Sequence, residues 1–412
     1  MFGLRNLFKS IRALGHERLW LLGVVTSGHS AIHWFMEIFS VVLPFVKTGL
    51  GLSNIQVGTL MTARQLATGV LNLPSGMLAD SLVRFRPLFL ATAPVIMGIA
   101  YTLFGISPTF VWAILAAGLV GLAIALWHPA ALASLSARFP EFRATAIAVH
   151  GMGASVSNTI TPMGVGALLV AFHWRDVLRF QIVPALVVAF LVWRGLVGIV
   201  GGVPSRPTGT TQIREIGQLA RNPAFIGIAV IRGLMRIGRL VILTFLPIYL
   251  QEHLGYSPLG VGFYLSMLYG IGIFSQPILA ILSDRFGRKA VLLPSFIILG
   301  LLYLLLRVAT PGIVLGFLTA AIGIFFFTLG NITTAAVMDI AGTRIQASSF
   351  GLTSSLTQVL ALPTPILAGF LIDSYGMGSA FLLSSVSMFL AALVLAPLRL
   401  HRETKVQGHF DS

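Results

Sequence analysis

GLSNIQVG, residues 51–58, returns two hundred residues later as GYSPLGVG, residues 255–262. Gly51 and Gly255, Ser53 and Ser257, Val57 and Val261, and Gly58 and Gly262 share one offset of 204, and Asp80 and Asp284 keep it. Pro44 pairs with Pro247 and Arg143 with Arg344 at offsets only slightly smaller, so the register holds with small insertions and deletions. A repeat of this length is a duplicated half-protein. Its surroundings say what was duplicated: 56% of the 412 residues are hydrophobic and 9% are charged, with a mean hydropathy of +0.93, outside the range of a water-soluble domain. The apolar blocks run for about 20–28 residues, enough for a helix to cross roughly 30 Å of hydrocarbon and too long for a barrel strand. The expected fold is therefore an all-α membrane protein of twelve transmembrane helices in two pseudo-symmetric six-helix bundles. The spans are read near 19–46, 54–78, 87–106, 109–134, 144–170, 177–200, 223–250, 258–282, 290–308, 313–338, 347–371 and 377–398.

Charge orients the chain. A net charge of +15 could suggest nucleic acid, but nineteen Lys and Arg residues fall on the side that carries both termini, against four on the other, Lys47, Arg175, Arg179 and Arg307. By the positive-inside rule the termini are cytoplasmic and the excess is a topology signal, with no nucleic-acid partner implied. The organisation expected is a cytoplasmic segment 1–18, a bundle 19–200, a polar cytoplasmic linker 201–222, a second bundle 223–398 and a cytoplasmic tail 399–412. MFGLRNLFKSIRALGHERLW, residues 1–20, has no small-residue cleavage site and reads as a retained segment. With no cysteine in the chain, disulfides and thiolate metal sites are excluded. A two-half helical repeat marks a secondary transporter whose substrate site lies between the halves near the membrane midplane.

SDRFGRKAVLL, residues 283–293, follows the second span of the second half. Its Asp284-Arg285-x-Gly287-Arg288-Lys289 resembles the cytoplasmic loop motif of the major facilitator superfamily, D-R-x-G-R-[RK]. The first-half copy keeps Gly76 and Asp80 and then departs. The resemblance implies a transporter that works by alternating access, with these residues serving a cytoplasmic conformational gate. More narrowly, SGHSAIHWFMEIFSVVLPFV and WHPAALASLSARF resemble the fosmidomycin-resistance-like branch of bacterial efflux proteins, through His29 fifteen residues before Pro44 and through His128-Pro129. That branch implies proton-coupled export from the inner membrane of a bacterium and antibiotic resistance. Two of its usual acidic positions are occupied by His33 and Ala130 in this chain.

Inside the first span, GHSAIHWFMEIF at 28–39 places His29, His33 and Glu37 four residues apart, on one face of a helix. At the offset of the paired prolines, His29 maps onto Arg232 and His33 onto Arg236, and Arg239 continues that face. An arginine at mid-bilayer costs at least about 2.5–3.5 kcal/mol, so three of them are expected to face a wet cavity. Arg64 in the second span adds a fourth cation, against which the spans offer chiefly Glu37. The predicted substrate is accordingly a small organic anion or zwitterion held by Arg64, Arg232, Arg236, Arg239, His128 and His33, since a guanidinium fork suits carboxylate and phosphate. Glu37, His29 and His33 are the expected proton-coupling groups.

His128 precedes a proline and could serve only to satisfy backbone carbonyls, and His150 reads as a packed or loop-proximal histidine. Taken with Glu37, the two histidines of the first span could ligate a metal. Nearby arginines oppose a free dication, so no metal and no cofactor is expected; a metal–chelate anion fits the charge better. No nucleophile–base pair or phosphate loop is visible, so no enzymatic activity is predicted. An anion or phosphate-ester exchanger or importer is the alternative within transporters. One chain carries both halves and is expected to function as a monomer.

Overall fold

The computed structural model describes residues 15–140, 142–198, 217–219, 221–341 and 346–398. Most of the expected terminal segments and linker, and the side chains of Asp80 and Arg143, lie outside what it describes. The described residues are helical, without strands. In order they form α1 (Gly15–Leu50), α2 (Asn54–Ser81), α3 (Arg86–Ile106), α4 (Phe110–Arg138), α5 (Arg143–Ala171), α6 (Trp174–Arg179), α7 (Ile182–Leu196), α8 (Pro223–Ile248), α9 (Pro258–Phe286), α10 (Arg288–Leu305), α11 (Ile313–Phe326), α12 (Thr328–Ala341), α13 (Gln346–Ala361), α14 (Thr364–Tyr375) and α15 (Gly378–Leu395).

These fifteen described helices make twelve spans because three spans are broken. The sixth divides into α6 and α7 at Phe180 and Gln181; the buried Gln181 bonds the Val177 carbonyl through Nε2 at 2.8 Å and accepts from Trp34 Nε1 at 3.2 Å. The tenth breaks at Phe327 between α11 and α12, and the eleventh at Leu362-Pro363 between α13 and α14. Among the described residues, ten stretches are long and apolar enough to cross a membrane by length and composition. The other two spans, α2 and α8, have 28 and 26 residues. Their polarity sets them apart: Arg64 lies in α2, and Arg232, Arg236 and Arg239 lie in α8. Charged groups inside spans turn away from lipid, so these helices are the ones expected to serve a polar interior.

The repeated stretch has a concrete local role. Gly51 and Gly255 have φ of +64° and +67°, a left-handed conformation that glycine adopts without steric cost, and each ends one helix before the next begins. Ser53 then accepts from the Gln56 amide at 3.2 Å while Gln56 Oε1 accepts from the Ser53 amide at 2.9 Å, a reciprocal cap on α2. Ser257 likewise accepts from the Gly260 amide at 3.2 Å at the start of α9. The last glycine of the motif permits a close crossing. A Cβ on Gly58 would lie 2.1 Å from the carbonyl oxygen of Pro365 in α14, and one on Gly262 would lie 2.3 Å from that of Pro162 in α5.

By contact the chain divides into two compact units that cut across the two sequence halves. One comprises Met1–Pro207, Leu243–Gly270 and Leu362–Gly376. Within it α2 packs on α4 and α14, α1 on α5 and α7, and α3 on α4 and α7. Small residues at these crossings supply the close packing that drives helix association in lipid. The ends of α2 and α14 are also joined by polar contacts: Asp373 accepts from the amides of Asn54 and Ile55 at 3.2 and 3.0 Å and from Asn54 Nδ2 at 2.7 Å. Lys47 pairs with Glu252 in the same unit. Because Asp373 satisfies two otherwise orphaned donors at the start of α2, Asp373→Ala is expected to lower stability by about 1 kcal/mol. Asp176→Ala, which removes an exposed pair with Arg179, should change it by less than about 0.5 kcal/mol. Thermal melting of the two purified variants checks the contrast.

The other unit comprises Thr208–Ile242, Ile271–Ala361 and Met377–Ser412. In it α10 packs on α15, and α12 on α13. Gly287, with φ +98°, separates α9 from α10.

Candidate functional site

The α1 stripe is present as expected, and the structure shows what each member meets. His29 and His33 meet edge to face at 4.6 Å between ring centroids, and His128 of α4 lies 5.3 Å from His29 and 5.8 Å from His33. One ring nitrogen from each of the three lies within 4.8 Å of the others. His150 of α5 stacks on His29 at 3.8 Å, nearly parallel. Polar backbone and amide groups hold the rings. The Nδ1 atoms of His29, His33 and His128 lie 2.9, 2.8 and 2.9 Å from the His150 carbonyl, Asn158 Oδ1 and the Ile124 carbonyl. The His128 contact is to the carbonyl four residues back, adjacent to the Ala125 carbonyl that Pro129 leaves without its helical donor.

Glu37 stands apart from this cluster. It is 9% exposed, and its carboxylate accepts from the Tyr269 hydroxyl of α9 at 2.5 Å. Tyr101 of α3 lies within electrostatic reach of both Glu37 and Arg64, and its own hydroxyl donates to the Phe35 carbonyl. The Arg64 guanidinium sits over the Phe39 ring at 5.0 Å, close enough to His33 to act on it electrostatically. The metal ligand set weighed from the sequence, two histidines and Glu37, is thus not the one gathered. His128 joins the histidines, and the carboxylate binds a tyrosine.

In the second unit the arginine face of α8 meets protein groups. Arg232 Nη1 donates to Thr334 Oγ1 at 2.6 Å and, at 3.4 Å each, to Thr333 Oγ1 and the Gly330 carbonyl of α12. Arg239 lies over the Phe327 ring at 3.7 Å, a contact of the cation–π type. Arg236 is half-buried between them on the helix. The correspondence drawn from the repeat extends to partners: His29 of the first span meets His128 of the fourth, and Arg232 of the seventh meets Thr334 of the tenth.

The loop-motif residues also assemble in this unit. Arg288 pairs with Asp284 and, through Nε at 3.0 Å, with Asp339 of α12, and its Nη1 donates to Ser283 at 3.2 Å. Lys289 donates to the Ala396 and Leu398 carbonyls beyond α15. Arg285 lies over the neighbouring Phe286 ring at 5.3 Å. In the first unit, a Cβ on Gly76 of the first-half copy would meet Pro129 Cβ at 3.7 Å, an ordinary contact. His150, read from the sequence as a packed or loop-proximal histidine, is buried within α5 and stacks on His29; Asn158 and Tyr269 were not singled out. His150 and Asn158 are eight residues apart on α5, the same spacing as His29 and Glu37, and that signal was legible. For Tyr269 the sequence offers none.

Residues 25–362 and 228–411 match the family model of the Major Facilitator Superfamily. Among curated proteins the chain is similar to the "Proline/betaine transporter" of Escherichia coli (strain K12), 29% identical over 140 residues, 32% of this chain and 27% of that protein. It is also similar to the "Glycine betaine/proline/ectoine/pipecolic acid transporter OusA" of Dickeya dadantii (strain 3937), with the same identity and coverage. The match thus spans about a quarter of the length of these relatives. Among solved structures, the nucleoside transporter NupG has a TM-score of 0.75 at 12% identity, over 92% of this chain and 98% of that one. A bacterial homolog to the human lysosomal transporter Spinster, inward-facing and unoccupied, has a TM-score of 0.76 at 17% identity, over 92% and 97%. At these identities the structural likeness is one of fold.

Proposed function

We propose, for a chain that belongs to the Major Facilitator Superfamily and is a multi-pass secondary transporter of a small molecule, that its cargo is a small organic anion or zwitterion exported at the expense of a proton gradient. The setting proposed is the inner membrane of a bacterium, with both termini cytoplasmic and a single chain as the working unit. The observation that carries the reading is the buried Glu37 carboxylate bound to Tyr269. An ionisable residue inside a span is costly and marks an ion or proton path unless it is only a structural pair. Glu37 lies in the first repeat and Tyr269 in the second. A proton arriving on Glu37 removes the charge that Tyr269 donates to, so proton binding and the α1–α9 contact depend on each other. That linkage is what coupling requires.

Arg64, Arg232, Arg236 and Arg239, with His33 and His128, are the proposed substrate contacts, because forked guanidinium donors match carboxylate, phosphate and phosphonate. The loop residues Asp284, Arg285, Gly287, Arg288 and Lys289, with Gly76 and Asp80, serve the cytoplasmic gate. Export, and drug efflux with it, rests on the resemblance of the His29–Pro44 and His128–Pro129 segments to the fosmidomycin-resistance-like branch. The curated relatives favour a second reading, transport of a zwitterionic solute such as proline or a betaine. An anion or phosphate-ester exchanger would use the same arginines.

Thermal stabilisation of purified protein by phosphonates, phosphate esters, carboxylates, betaines and cationic drugs, beside Arg236→Gln, tests the cargo class. One class of anion or zwitterion is expected to stabilise the wild type, by about 2.7 kcal/mol at a hundred times its Kd, and the gain should vanish in the variant. Stabilisation by cations alone, unchanged in Arg236→Gln, would refute the assignment.

A further inference from the structure

The tautomers of the histidine cluster are fixed by what surrounds them. A backbone carbonyl oxygen only accepts, so the Nδ1 atoms of His29 and His128, each 2.9 Å from the His150 and Ile124 carbonyls respectively, carry a hydrogen, and Asn158, with its amide oxygen 2.8 Å from His33 Nδ1, favours the same tautomer there. In a neutral imidazole that leaves every Nε2 with a bare lone pair. Yet the Nε2 atoms of His29 and His128 lie 3.4 Å apart, and a ring nitrogen of His33 lies within 4.8 Å of both. Lone pairs pointed at one another repel, unless a cation sits where they converge.

We infer that His29, His33 and His128 form a binding site for a late first-row transition-metal dication, represented by Zn2+. Imidazole suits Zn2+, Cu2+ and Ni2+, whereas Mg2+ and Ca2+ require oxygen ligands. A tetrahedral ion with bonds of about 2.0–2.1 Å spaces its nitrogens about 3.3 Å apart, which the His29–His128 pair already matches. His33 closes by a ring rotation or small helix shift. The three rings stand at 80–87° to one another, with one nitrogen of each within 4.8 Å of the others. His29 and His33, one turn apart on α1, form a helical chelate, and His128 brings the third nitrogen from α4. Each ligand donates its other ring N–H to an oxygen, the outer-shell arrangement that orients a metal-ligating histidine and raises its basicity. Asn158 has a clear purpose on this reading: its amide oxygen fixes the His33 tautomer.

Three protein ligands leave a coordination position for water or for a donor group of a small molecule, as in exchangeable rather than purely structural zinc sites. Arg64, within electrostatic reach of His33, opposes the dication and weakens the site without removing a ligand. The site lies within one compact unit and shares His33 and His128 with the proposed substrate contacts, so its test reads metal binding alone, without the cargo.

Titration calorimetry of the EDTA-stripped full-length protein with Zn2+ alone tests the site. The expected result is one Zn2+ per chain, with no competition from Mg2+. His128→Gln should weaken binding by more than about 100-fold and Asn158→Leu by about 10–100-fold, while His173→Gln, at an exposed position, leaves it unchanged. Co2+ added to the wild type should give the visible absorption of a tetrahedral nitrogen-ligated ion, a readout independent of any variant. Absence of saturable binding would mean that a shared proton bridges the 3.4 Å contact, and would overturn the inference. Binding retained in the triple variant His29→Gln/His33→Gln/His128→Gln would overturn it equally.

Discussion

Gly262→Val is expected to stop transport in a chain that still folds and inserts. A Cβ on Gly262 would stand 2.3 Å from the Pro162 oxygen and 2.9 Å from its carbonyl carbon, and one on Gly58 would stand 2.1 and 2.5 Å from the same atoms of Pro365. These neighbours are backbone, so no side chain can swing aside. The helices must separate, at an overpacking cost of about 1–3 kcal/mol or more. In a carrier that alternates between two states, such a cost falls only on the state in which the helices cross closely. A difference of about 3 kcal/mol shifts the ratio of the two states by about 150-fold, enough to hold the protein in the other one. Flux in Gly262→Val and Gly58→Val is expected to fall by more than about 100-fold with monodispersity retained, and Gly262→Ala should fall between. The chain has no cysteine, so Ser53→Cys as a single label site reports the change directly through faster thiol labelling in the valine variants. Unchanged labelling with unchanged flux would show that the crossing does not open during transport.

Glu37→Gln should abolish proton-driven accumulation, by at least about 100-fold, while leaving substrate exchange without a gradient largely intact. Glutamine keeps the shape and can still accept from Tyr269, but it cannot bind or release a proton, so the loss would belong to the proton and not to packing. Tyr269→Phe removes the donor and keeps the carboxylate. Its expected effect is smaller, about 1.5–3 kcal/mol for a hydrogen bond to a charged group, expressed as a shift in the pH dependence of flux. Loss of exchange together with proton-driven flux in Glu37→Gln would make Glu37 a structural or substrate-binding group.

The duplicated GLSNIQVG stretch was legible as a repeat; that it supplies a turn glycine, a capping serine and a crossing glycine to each half emerged from the fold. Span lengths were equally legible, since hydrocarbon thickness sets them. Breaks within spans were less so. Pro363 announces the one before α14, but nothing around Phe327 does, and the buried Gln181 reveals its role only once Trp34 is beside it. Helical spacing placed His29, His33 and Glu37 on one face. Which of them would act together depends on how α4, α5 and α9 pack against α1, and local pattern does not carry that information. The three arginines of α8 were read as one surface, whereas Arg232 is anchored on threonines and Arg239 on a phenylalanine ring.

Efflux from proteoliposomes is the most direct test of proton-coupled export. They would be loaded with the ligand that stabilises the protein best and given an acidic exterior with the membrane potential clamped at zero. The expected result is efflux accelerated by the pH gradient alone, accompanied by proton entry that stops when substrate is exhausted, and neither response in Glu37→Gln. Efflux indifferent to the gradient, with no proton movement on adding substrate, would contradict it.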